Sequence, residues 1–168
     1  FKGLTIVLVA AIALVFALLL FLYESFRIAL VVMAMPLLAI CAVFIGLWIT
    51  GTELNISAMM GMTMIVGIVT EIAIFYFSEF EDLRADQSQH GALLEAGHNR
   101  MRPILMSTIA AILTLAPLAL AIGRGSQMQQ PLAIAIIAGM LVQVPLVLLV
   151  MPALYELAVP GARRDDSA

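Results

Sequence analysis

Apolar residues in this chain come in long unbroken runs, with polar residues gathered between them. Five runs stand out: 4–22 (LTIVLVAAIALVFALLLFL), 28–50 (IALVVMAMPLLAICAVFIGLWIT), 56–78 (ISAMMGMTMIVGIVTEIAIFYFS), 103–122 (PILMSTIAAILTLAPLALAI) and 131–155 (PLAIAIIAGMLVQVPLVLLVMPALY). A helix needs about 20 apolar residues to cross a bilayer, and each run supplies them. Strands of a membrane barrel would be shorter and would alternate apolar with polar. Helices satisfy their own backbone in hydrocarbon. The pattern therefore predicts an all-α, polytopic membrane helix bundle with five transmembrane helices.

The polar intervals are short, with one exception. Residues 23–27 and 51–55 are tight connections, and 123–130 is a Gly-containing loop ending at Pro131, a residue suited to a first helical turn. The exception is EFEDLRADQSQHGALLEAGHNRMR, 79–102. Within it, Leu83, Ala92, Leu93, Leu94 and Ala96 predict a short cytoplasmic amphipathic connecting helix against the membrane or the bundle. The bundle is expected over 1–158 and a polar cytoplasmic tail over 159–168.

Composition agrees. Of 168 residues 64% are hydrophobic and 11% charged, whereas a soluble domain is roughly half apolar and about a quarter charged. A net charge of −3 leaves no electrostatic footprint for nucleic acid. Cys41, the one cysteine, has no internal disulfide partner and is expected to be a buried packing residue. Most of the eleven methionines stand singly in apolar runs, where Met fills irregular gaps. His90 and His98 are eight residues apart in the long connection, a poor metal pair. There is no nucleotide loop, no Cys pair and no HExxH, so neither an enzyme nor a cofactor nor a bound metal is expected.

Lys2 and Arg124 fall on one side of the predicted topology, and Arg27, Arg84, Arg100, Arg102, Arg163 and Arg164 on the other. The positive-inside rule puts the second side in the cytoplasm and the N-terminus outside. The run 4–22 is longer than the core of a signal peptide, about 7–15 residues. An odd number of spans starting outside is expected to follow upstream sequence.

Only the third run carries a charge, Glu71. It lies about four residues past the midpoint of its run, ~6 Å at the helical rise. A charge near the bilayer centre costs about 2.5–3.5 kcal/mol on insertion scales and usually faces a partner or a water path. Low dielectric favours the neutral form of a carboxyl, and a carboxyl so poised can take up and release a proton. Thr63, Gly67, Thr70, Glu71 and Ser78 recur at spacings of three, four and seven, predicting a small polar stripe. Ser107 and Thr114 are seven apart on the fourth run, and Arg100 lies seven before Ser107. If that helix begins early, Arg100 joins their face. The alternative is a structural Glu making one interhelical hydrogen bond. Gln143 is expected to make an interhelical contact. Pro36, Pro117, Pro145 and Pro152 are expected to bend their helices, and Gly61, Gly67 and Gly139 to allow close approach or a hinge.

LYESFR (22–27), GTELNISAMMGMTMIVGI (51–68), HNRMRPILMSTIAAILTLAPLAL (98–120) and QQPLAIAIIAGMLV (129–142) resemble the last five membrane helices of resistance-nodulation-division (RND) efflux permeases. The resemblance covers about residues 1–157, in the right order and with the right loop lengths. It implies a C-terminal part, helices eight to twelve, of a bacterial inner-membrane permease. Such permeases have two repeated halves, each with six helices and a large extracytoplasmic domain. They act as homotrimers with a periplasmic adaptor and an outer-membrane channel, and exchange protons for substrate. By the resemblance, the proton relay falls on Glu71, Arg100 and Ser107, and Thr70, next to Glu71 in the stripe, is expected to take part in it. Drug exporters commonly carry Lys or Asn at position 71. The GIVTE context resembles that of heavy-metal exporters, which leans towards cation export, whereas the following IAIFYF does not. Multidrug or hydrophobic-compound export is the alternative, and a non-transporting membrane scaffold or translocation-assisting subunit is the alternative of another class. Glu71 is expected to face acidic residues in the N-terminal half of the same permease.

Overall fold

A computed structural model describes residues 2–158; the tail 159–168, with Arg163 and Arg164, lies outside the described residues. All regular structure among the described residues is helical. Helix α1 spans Lys2–Tyr23, α2 Phe26–Ile49, α3 Ile56–Arg84, α4 Gln89–Ala119, α5 Gln130–Pro145 and α6 Met151–Ala158. Helices α5 and α6 form one path through a π-helical turn, Leu146–Val150, so among the described residues five helical paths are long and apolar enough to cross a membrane. The wide turn follows Pro145, whose ring leaves a regular ladder unfinished.

Local chemistry sets the helix ends. The Asn55 side chain caps α3, accepting from the Ala58 amide at 3.0 Å. Ser88 caps α4 from the same position, accepting from the Gly91 amide at 3.3 Å. Both satisfy amides that the first turn leaves open. Gly51, at φ +64°, reverses the chain after α2, where a side chain would be strained.

Helices α3 and α5 form the centre. Ile65, Val69 and Ala73 of α3 are buried in one core with Ala135, Ile136 and Met140 of α5. Lipid is as apolar as these side chains, so close packing rather than escape from water must hold the helices together. Small residues permit it: a Cβ on Gly61 would sit 2.8 Å from the Ala135 Cβ, and one on Gly139 2.6 Å from Ile65 Cδ1. At one end Tyr23, Phe77, Phe80 and Tyr155 tie α1, α3 and α6 together, with Tyr23–Phe77 and Phe80–Tyr155 centroids each 4.9 Å apart. Helices α1 and α4 lie outermost and turn mostly apolar, exposed faces outward.

The 79–102 interval is not a long connection carrying a helix of its own. Helix α3 continues to Arg84 and α4 begins at Gln89, leaving a four-residue turn, 85–88. The predicted amphipathic stretch forms the first turns of α4, which runs unbroken through Pro103. A proline removes one ladder bond but need not end a helix whose flanks are packed. Here Ala92, Leu93 and Ala96 are buried, and the Tyr76 hydroxyl of α3 donates to the Leu93 carbonyl at 2.8 Å. These contacts hold the stretch along the bundle axis instead of flat on a membrane. At 29 and 31 residues, α3 and α4 are about 44 and 47 Å long. They therefore overrun a hydrocarbon core of about 30 Å.

Candidate functional site

A cleft of about 350 Å³ opens between α3 and α4 on one flank of the bundle. Helix α3 contributes Ile68, Glu71, Ile72 and Phe75; α4 contributes Arg100, Pro103, Ile104 and Ser107; Met140 of α5 closes the back. Three residues expected to act together thus share one cavity, although 36 positions separate Glu71 from Ser107. Their juxtaposition depends on α4 beginning well before Pro103, because only then does Arg100 belong to the same helix as Ser107.

Glu71 is exposed to the cleft, and among the described residues its carboxylate has no hydrogen-bond or ion-pair partner. Arg100 is tethered away from it. Its Nη2 donates to Glu79 Oε2 at 3.0 Å, and the guanidinium lies 5.6 Å from the centroid of the Phe75 ring. Arg100 Nε is enclosed without a partner. The Ser107 hydroxyl donates to the Ile104 carbonyl at 3.0 Å. That bond occupies its proton and leaves the oxygen's lone pairs to accept.

Thr70 is not brought into this group. It is buried in the bundle, and its hydroxyl donates to the Val66 carbonyl of its own helix at 2.6 Å. Consecutive helical residues point about 100° apart, so residues 70 and 71 cannot both face the cleft. Thr63 likewise donates to Met59 O at 3.0 Å, and Thr114 to Ala110 O at 2.8 Å. The expected stripe therefore divides, with Gly67 and Glu71 on the outward side and Thr70 inward. A Cβ on Gly67 would meet nothing within 4 Å, whereas one on Gly139 would strike Ile65. Pro117 is exposed two residues from the end of α4, and its carbonyl accepts from the Ile122 amide at 2.9 Å.

Glu79, which the sequence pattern does not mark, belongs to the site through its bond to Arg100. The signal was present: Glu71, Phe75 and Glu79 recur every four residues. The apolar pattern hides it, because it ends the third run at Ser78 and leaves Glu79 in the polar interval. A second polar contact lies inside the bundle, where Gln143 of α5 donates to the Thr108 hydroxyl of α4 at 3.2 Å; the Gln143 amide oxygen is buried without a partner.

Five membrane-length helices with an ionisable cleft on one flank define a polytopic membrane protein. The sequence matches the AcrB/AcrD/AcrF family over residues 2–159, and the chain belongs to this family of RND permeases. It is 36% identical over 129 residues to the swarming motility protein SwrC of Bacillus subtilis, covering 76% of this chain and 12% of that protein. It is 33% identical over 166 residues to the cobalt-zinc-cadmium resistance protein CzcA of Cupriavidus metallidurans, covering 98% of this chain and 15% of CzcA. Among solved structures, a crystal form of a heavy metal efflux pump matches at TM-score 0.79 and 31% identity, covering 92% of this chain and 16% of that one. A second crystal form matches at TM-score 0.77. The chain thus spans about an eighth to a sixth of the length of these relatives.

Proposed function

We propose that this chain supplies second-half membrane helices, and part of the proton relay, to a proton-driven RND exporter of metal cations. The observation that carries the reading is the shared cleft of Glu71, Arg100 and Ser107. Each residue brings a distinct capacity. Glu71 binds and releases a proton, Arg100 is a permanent positive charge, and Ser107 offers an acceptor oxygen. The unpartnered Glu71 and the open space beside Gly67 suit a docking helix from the N-terminal half, carrying acidic residues. Two close carboxyls in low dielectric do not both ionise readily, so a proton entering the pair changes which hydrogen bonds are favoured. Helices α3 and α4 then shift against their neighbours and drive the extracytoplasmic domains.

Cation export is favoured by Glu at position 71 and by the likeness to CzcA and to the heavy metal efflux pump. Substrate selection is assigned to the parts of the exporter outside this chain. Export of hydrophobic compounds is the second reading, favoured by the IAIFYF sequence after Glu71. The assembly proposed is a homotrimer in the bacterial inner membrane, with a periplasmic adaptor and an outer-membrane channel. The turn 85–88 would lie on the cytoplasmic side and the α2–α3 turn on the periplasmic side.

The test is Glu71→Gln in the full-length permease, reconstituted in vesicles carrying a pH gradient. Zinc- or cobalt-dependent proton flux should fall at least about tenfold, as expected when an essential proton-transfer group is removed. Ser107→Ala should cost only a few-fold. Full coupled efflux by Glu71→Gln would sink the relay assignment. Proton flux evoked by a lipophilic cation but not by zinc, cobalt or cadmium would favour the second reading.

A further inference from the structure

Glu79 has no role in the relay described so far, yet it holds the one cation of that relay. Its two carboxylate oxygens are divided between consecutive residues of α4. Oε2 accepts from Arg100 Nη2 at 3.0 Å, and Oε1 accepts from Asn99 Nδ2 at 3.1 Å. Two donors fix the carboxylate's orientation, so it presents one oxygen to Arg100 in a defined place. Arg100 is flanked on its other side by the face of Phe75.

Glu71, Phe75 and Glu79 lie four residues apart along α3, which places the two carboxylates about 12 Å apart along the helix axis. Arg100 is bonded to Glu79 and lines the cleft together with Glu71. Helix α5 contributes only Met140 to the cleft lining, so among the described residues Glu71 and Arg100 are its charged groups, with Glu79 at its turn end. Arg100 retains an enclosed Nε without a partner, and Glu71 retains a carboxylate without one. An under-used guanidinium and an unpaired carboxylate thus share a cavity.

We infer that Glu79 is a positioning residue that parks Arg100 at the turn end of the cleft and competes with Glu71 for its guanidinium. This rests on the relay reading above. While Glu71 carries a proton, Glu79 is the better partner and Arg100 stays parked. When Glu71 releases its proton, its carboxylate draws the guanidinium along the face of Phe75. No bond is made or broken except that of the proton to Glu71. The transferred element is the Arg100 side chain, which is charged throughout.

The experiment uses the full-length permease in vesicles, with zinc as the exported ion and an imposed pH gradient. Glu79→Gln keeps the size and an accepting oxygen but removes the charge. It should lower the kcat of coupled efflux about tenfold while KM for zinc and the thermal midpoint stay unchanged, because charge-assisted bonds are roughly twice as strong as neutral ones. Asn99→Ala, at an exposed residue, frees one Glu79 oxygen and should lower kcat in the same direction by a smaller factor. A Glu79→Gln protein with wild-type kcat per folded molecule overturns the inference, as does a loss confined to yield or thermal midpoint. If the wild-type permease shows coupled efflux and both variants match it, the positioning role alone fails. Where the wild type couples a lipophilic cation and not zinc, the same comparison is made with that cation; if it couples neither, the relay reading fails and takes this inference with it.

Discussion

Replacing Gly139 by Ala should force α3 and α5 apart. Three atoms of Ile65 lie where the new Cβ would sit, Cδ1 at 2.6 Å, Cγ1 at 2.7 Å and Cγ2 at 2.8 Å. Ile65 is fully buried, so its side chain has no free volume into which to turn. Rotation about χ1 would merely exchange one branch for another. The helix axes must therefore separate, which loosens Ala135, Ile136 and Met140 as well. Such overpacking costs about 1–3 kcal/mol. Ala also gains on Gly in helix propensity, about 1 kcal/mol. Gly67→Ala isolates the strain. It carries the same propensity gain on the same class of helix, but its Cβ meets nothing within 4 Å. The difference between the two variants should then be about 1–3 kcal/mol, Gly139→Ala being the less stable. Reversible unfolding of the chain by SDS in mixed micelles, followed by helical circular dichroism, measures it. Ile65→Ala should cost less in the Gly139→Ala background than alone, since there it also relieves the clash, with a coupling of at least about 1 kcal/mol. Equal midpoints for Gly67→Ala and Gly139→Ala, or additive behaviour of the Ile65 pair, would refute the close-packing account of the α3–α5 contact.

Two further outcomes follow from the geometry. Gly67→Leu should leave the chain's own unfolding midpoint within about 0.5 kcal/mol, the usual range for a surface change. It should nevertheless abolish efflux by the full-length permease, because the open space beside Glu71 is proposed to receive another helix; undiminished efflux would remove that docking face. Thr108→Val alone strips the partner from the buried Gln143 amide and should cost about 1–3 kcal/mol in the same micelle titration. Adding Gln143→Leu should recover most of that loss, since the unpaired amide goes with it, and a double variant no better than Thr108→Val would contradict the pairing.

Helix number was legible because each spanning run is long, apolar and closed by polar residues, and hydrocarbon admits few other backbones. The ends of the third and fourth helices were not. Pro103 looked like a start, yet α4 begins fourteen residues earlier at Gln89. No local signal outweighs a proline there; the deciding contacts are the burial of Ala92, Leu93 and Ala96 and the bond from Tyr76. The same contacts decide the site. Glu71, Arg100 and Ser107 were marked by depth, charge and family pattern, but Glu79 drops out of view when residue 79 is assigned to a loop.

By itself, the sequence determined composition, span count, the single intramembrane carboxylate and membership of the permease pattern. These rest on hydropathy and short motifs, which act locally along the chain. Tertiary structure alone decided which faces meet. It turned Thr70 inward and Glu71 outward, set Gly139 against Ile65 while leaving Gly67 open, and gave Arg100 to Glu79 rather than to Glu71. Each choice depends on the rotation of one helix about its axis. A rotation of about 100° separates neighbouring residues, and in so uniformly apolar a chain the packing of neighbouring helices fixes it.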